Sequence, residues 1–186
     1  MSRPQPIGHE QWVFTVPKML RRYFMRNRDL LGGLCRAVWQ TVRELMIAVV
    51  GEEIRPGMVA VVQTFGSKVN FHPHFHALVT RGGWRKNGEW VPVAYVDLRS
   101  AELVFRHRVL SLLQKAGLID EERIALLLWW KHTGFSVHNS VTVESEDPKA
   151  VERLVRYLMR PPVSLERLVF DSDQRRSGDS SESRSG

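Results

Sequence analysis

Asn70-Phe71-His72-Pro73-His74-Phe75-His76-Ala77-Leu78-Val79 places histidine at three alternate positions. A β-strand sends alternate residues to one face, so His72, His74 and His76 project together. Phe75, Ala77 and Val79 then turn to the other side, where a core can receive them. Two imidazoles on one strand, about 6.5–7 Å apart along the backbone, can converge on one divalent ion when a neighbouring strand adds a third ligand. Pro73 has no N–H for a ladder, which predicts a strand beginning near His74. His74 and His76 are then the ligand pair, with His72 just outside. The competing reading is a half-exposed strand whose histidines are polar surface residues. A single His-x-His would favour that reading; three histidines at period two tip the balance toward a metal.

Working outward, Met58 to Phe65 is a second β-rich run, joined to the histidine run by a short segment containing Gly66 and Asn70. The spacing predicts an antiparallel hairpin, which sets Gln63 beside the histidines. Upstream, Gln11 to Val16 predicts a strand stopped by Pro17, then a short basic helix over Lys18 to Met25. Asp29 opens a longer helix with Leu31, Leu34, Val38, Val42, Leu45 and Val49 as its apolar stripe. Gly51 to Gly57, with Pro56, breaks it. Downstream, Asn87-Gly88 marks a hairpin between Trp84 and Trp90. Helices follow over Asp97 to Lys115 and Asp120 to His132, the first with Leu103 in its apolar pattern. Gly134 to Val143 alternates as another strand, and Pro148 to Arg160 reads as a helix closed by Pro161-Pro162.

The 186 residues suffice for one domain with a real core. Residues 1–8 read as a loose lead-in, and 171–186, rich in Ser, Arg and Asp, as a disordered tail. Lys and Arg number 27 against 20 Asp and Glu, a net charge of +7. That balance suits an acidic partner, most commonly nucleic acid. The single cysteine, Cys35, excludes an internal disulfide and a cysteine-built zinc ribbon, and its apolar surroundings mark it as an inert thiol. No run approaches the ~20 apolar residues of a membrane span, so the expected location is a reducing cytoplasm.

A second chemical element lies on the helix over 148–160. Val151, Leu154, Val155 and Leu158 form its apolar stripe, and Tyr157 falls on the border beside Arg153 and Arg160. A border tyrosine can simply rest its ring on a core with its hydroxyl in water. It can also be a nucleophile, since arginines favour phenolate and bind phosphate oxygens. Attack on a phosphodiester would further need a cation at the phosphate, such as Mg²⁺ or Mn²⁺ held by histidines.

His74-Phe75-His76 matches the His-hydrophobic-His tripeptide that gives the HUH endonucleases their name. Within that superfamily the chain resembles the rolling-circle insertion-sequence transposases, the two-tyrosine family. Trp12 to Lys18 resembles their opening strand, and Gln63 to Ser67 with Asn70 to Val79 their metal-binding hairpin. Thr133 to His138 and the stretch Arg156-Tyr157-Leu158-Met159-Arg160-Pro161-Pro162 through Leu168 resemble the surroundings of their nucleophile. The likeness spans about residues 9–170, the expected catalytic domain.

The resemblance implies an α+β fold, an antiparallel sheet of about five strands flanked by helices. It implies a transposase that nicks and rejoins single-stranded DNA at transposon ends in a bacterial cytoplasm. His74 and His76 would hold Mg²⁺ or Mn²⁺, with Gln63 as third ligand and His72 as the alternative. Tyr157 would form a 5′-phosphotyrosine link, and Arg156 and Arg160 would contact phosphates. Two departures stand out. Arg153 occupies the position four before Tyr157 where a second tyrosine is usual, and the N-terminal cysteine-rich module of the family is missing. The chain thus reads as a truncated copy, and the alternative function is a decayed transposase that binds DNA without cutting it. A water-using metal phosphoesterase is a third reading. His9, His107, His132 and His138 are left out of the metal set. Trp12 and Trp39 fit core faces, leaving Trp84 and Trp90 as partners for unstacked bases.

Overall fold

A computed structural model of the chain describes residues 7–65, 71–130 and 133–143, together with 149, 152, 153, 155 and 156. The expected disordered tail, Tyr157, Arg160 and His132 lie outside the described residues.

Among the described residues, five antiparallel strands form one sheet: β1 (His9–Thr15), β2 (Arg55–Phe65), β3 (Phe71–Trp84), β4 (Trp90–Pro92) and β5 (Ser136–Val143). Their order is β2-β3-β1-β5, with β4 paired to the far end of β3. The α+β class and the strand number expected from the sequence are both met. The first strand lies inside the sheet, between β3 and β5, because Gln11, Trp12, Val13 and Phe14 are all buried.

Trp12, Phe14, Phe75, Ala77 and Val79 form one buried face, and Phe14 is paired with Phe75. A helical layer packs there. It comprises α2 (Asp29–Val50) and α3 (Leu98–Lys115), with Phe105 of α3 meeting the Phe14 ring edge-on at 5.1 Å. The basic run after β1 is a 3₁₀ turn (Lys18–Leu20) followed by α1 (Arg21–Arg26), in place of one continuous helix. Asn27 Oδ1 accepts a bond from the Asp29 backbone N–H just ahead of α2. The stripe of α2 is also rotated from expectation. Leu30, Ala37 and Met46 join Leu34, Val38, Val42 and Leu45 in the core, while Val49 is exposed.

Asp97 caps α3 by accepting from the backbone N–H groups of Arg99 and Ser100. Leu103 on that helix points to solvent. Asp120 caps α4 (Glu121–Trp129) in the same way through Arg123. Trp84 and Trp90 face each other across the β3–β4 turn, where Gly88 takes φ +85°. Gly82 (φ +150°) is required by a close approach, since a Cβ there would sit 2.3 Å from the Val91 carbonyl oxygen. Among the described residues, no helix is long and apolar enough to cross a membrane.

Candidate metal centre on the histidine strand

β3 begins at Phe71, earlier than Pro73 led one to expect. The register explains how. Gln63 pairs with His74 and Phe65 with Phe71, so His72 and Pro73 together face the single residue Thr64. This is a bulge, where a missing proline N–H interrupts nothing. On the other side β1 ends at Thr15, opposite His74, before Pro73 is reached. His72 therefore belongs to the strand, and its ring centroid lies 5.1 Å from that of His74, with His74 to His76 at 5.0 Å.

The three imidazoles step along the strand in a ladder, on the face opposite Phe75 and Ala77. Cross-strand partners share a face, so Gln63 on β2 and Thr15 on β1 flank His74, while Val61 and Val13 flank His76. Gln63 thus lies beside His74, as the predicted hairpin requires.

Each ring has a distinct hydrogen-bonding state. His74 Nδ1 lies 2.7 Å from the His72 carbonyl oxygen. A carbonyl only accepts, so His74 carries its proton on Nδ1 and presents the Nε2 lone pair. His76 Nδ1 lies 2.9 Å from Nε2 of Gln11, a side chain that is only 3% exposed. With Gln11 Nε2 donating, Nδ1 accepts and the His76 proton sits on Nε2; the opposite amide orientation would have Gln11 Oε1 accept from Nδ1–H and leave Nε2 bare. His72 Nε2 is buried with no hydrogen-bond partner among the described residues.

The electrostatics favour the neutral form of His76 and His72, the form a metal ligand takes. The His76 pKa falls to about 4, first through burial and then through the charges of His74 and His138. That of His72 is lowered by burial, then by Arg21 and by His74. His138 was left aside on sequence grounds, yet it lies in the same cross-strand row as His76, with Val13 between them. Only the position of β5 next to β1 brings it there, and nothing in its local sequence announces this. His9 opens β1 half-buried, while His107 is exposed on α3.

Among the described residues, no three His, Cys, Asp or Glu side chains gather closely enough to hold a metal ion. What the fold does bring together is a row of His72, His74 and His76 with Gln63 across the strand pair from His74. Arg156 is helical and exposed, and its Nη2 donates to Glu152 Oε1 at 2.7 Å. Lys149, Glu152, Arg153 and Val155 are helical too. Trp84 and Trp90 are committed to each other, with centroids 4.6 Å apart at 66°.

The sheet is all antiparallel and carries the imidazole row on the face opposite its helical layer. Residues 57–176 match the transposase family Y2_Tnp, described as "Putative transposase", and the chain belongs to that family. It is 29% identical over 171 residues to the transposase for insertion sequence element IS801 of Pseudomonas savastanoi pv. phaseolicola, an alignment covering 84% of this chain and 40% of that protein. It is 33% identical over 111 residues to "Putative transposase y4qJ" of Sinorhizobium fredii (strain NBRC 101917 / NGR234), covering 56% of this chain and 27% of that one. The chain therefore spans less than half the length of either relative. Among solved structures, the metal-bound conjugative relaxase TrwC in complex with OriT DNA is similar at a TM-score of 0.47 and 16% identity, over 86% of this chain and 61% of that chain.

Proposed function

We propose that this chain nicks and rejoins single-stranded DNA at the ends of a transposable element in a bacterial cytoplasm, with Tyr157 as nucleophile. The observation that carries the reading is the fixed tautomer of His74. In a member of a transposase family, its Nδ1–H is spent on the His72 carbonyl and its Nε2 is left for a cation.

His74 and His76 would hold Mg²⁺ or Mn²⁺, with Gln63 or His72 completing the set. Bound there, the ion would supply positive charge to the scissile phosphate. Gln11 holds the His76 ring in place through Nδ1, and burial favours the neutral, ligating form of His76. The Tyr157 oxygen bonds to phosphorus as the bond to the 3′ oxygen breaks. The DNA 5′ end is then joined to the protein, and the phenol proton ends on the freed 3′-hydroxyl. Attack by a 3′-hydroxyl on the phosphotyrosine reverses these changes and rejoins a strand. Arg156 and Arg160 would bind phosphate oxygens, Arg156 by exchanging Glu152 for the ligand.

The second reading, a DNA-binding transposase remnant that does not cut, is favoured by Arg153, which stands where a second tyrosine is usual in the family. An adduct assay separates the two. Protein is mixed with labelled single-stranded DNA from the element ends and Mn²⁺, then run on a denaturing gel beside Tyr157→Phe and the double variant His74→Ala/His76→Ala. The expected result is a slow, protease-sensitive band with the unaltered chain alone. DNA binding without any adduct would overturn the transferase reading, and metal-dependent hydrolysis that survives in Tyr157→Phe would point to water as nucleophile.

A further inference from the structure

A groove of about 520 Å³ opens between the turn after β1 and the end of α4. Lys18, Met19, Arg22, Arg123, Trp130 and Gly134 are among its walls. It is large enough for a nucleotide, since small-ligand sites run from about 300 to 1,000 Å³. Its chemistry is one-sided. Three cations line it and no carboxylate does, and none of Lys18, Arg22 or Arg123 has a carboxylate partner among the described residues. Arg22 instead donates to the Tyr23 hydroxyl and lies over that ring. Trp130, 40% exposed, turns an indole toward this space, unlike the mutually paired Trp84 and Trp90.

The position matters as much. β1 ends at Thr15, paired with His74 on one side and Ser136 on the other. The groove starts two residues later, at Pro17, and Pro17 lies beside Gly134 on the approach to β5. It therefore opens at the same end of the sheet as His74, within about 7 Å of backbone. A basic trough with one open aromatic ring has the composition of a single-strand platform: cations for the phosphates and a π-face for an unpaired base. In duplex DNA the bases are stacked on one another and offer no face to an indole.

We propose that this groove seats the single-stranded DNA flanking the histidine face, with Trp130 stacked on one unpaired base and Lys18, Arg22 and Arg123 on the adjoining phosphates. The assignment rests on the DNA-processing reading above and names where its substrate lies outside the reacting centre.

The test is fluorescence anisotropy of a labelled thymidine oligonucleotide and of a labelled duplex, with chelator present so that nothing is cut. Trp130→Ala is expected to weaken single-strand binding about tenfold or more while leaving duplex binding unchanged. Trp130→Phe should retain most of the affinity. Arg22→Ala/Arg123→Ala should lower the slope of log K against log salt by about 1.4, the loss of two single-strand phosphate contacts. Trp129→Ala is the control, since that neighbouring indole is 85% exposed but outside the groove lining, and it should change nothing. Thermal melts of each variant separate binding from folding. Unchanged affinity in a folded Trp130→Ala, or an equal loss in Trp129→Ala, overturns the groove while leaving the nicking reading intact. Groove variants that lose binding beside an unaltered chain that forms no adduct support the groove and sink the nicking reading. Failure of the unaltered chain to bind single strands overturns both.

Discussion

Acidifying the metal-free protein should destabilise it through the imidazole of His76. In the unfolded chain this ring takes up its proton near pH 6.5, but in the fold only at about 4. Burial is the main cause, followed by the charges of His74 and His138. Between those two values the unfolded state binds more protons than the native one, so stability present above pH 6.5 is lost as the pH falls toward 4. At 1.36 kcal/mol per pH unit the whole interval is worth about 3 kcal/mol, and about 2 kcal/mol once partial exposure of the ring is allowed for. Urea unfolding across this range, with chelator, should show that loss in the unaltered chain. His76→Gln, which cannot be protonated yet can still meet Gln11, should have a pH profile flatter by about the same amount. Parallel profiles for the two proteins would refute the assignment of the acid sensitivity to His76.

Two further outcomes follow from named contacts. Gln11→Leu removes the partner of His76 Nδ1 and should weaken Mn²⁺ binding, measured by calorimetry, about 10- to 100-fold, with Gln11→Glu restoring it; equal affinity in Gln11→Leu would dismiss the positioning role. Phe105→Ala removes a fully buried ring that meets Phe14 and Phe135 edge-on, and should cost about 3–5 kcal/mol in chemical denaturation; a loss under about 1 kcal/mol would mean that the helical layer collapses readily onto the sheet.

The sequence alone determined the things that local periodicity controls. Alternation across residues 71–79 put His74 and His76 on one face and Phe75 and Ala77 on the other, because strand geometry leaves no third choice. The short link after Phe65 fixed the hairpin that sets Gln63 opposite His74. Asp97, Asp120 and Asn87-Gly88 marked a helix start, a second helix start and a turn through chemistry carried within a few residues. Tertiary structure decided the rest. Pro73 falsely suggested a strand end, since only the pairing of Gln63 and Phe65 reveals the bulge that accommodates it. The rotation of the α2 stripe, which buries Met46 and exposes Val49, depends on how the helix lies against the sheet. Gln11 gave no sign in sequence of reaching His76, 65 residues away, and His138 gave none of sharing its row. Both follow from β1 being inserted between β3 and β5, a pairing that joins segments far apart in the chain and so leaves no trace in the periodicity of any one of them.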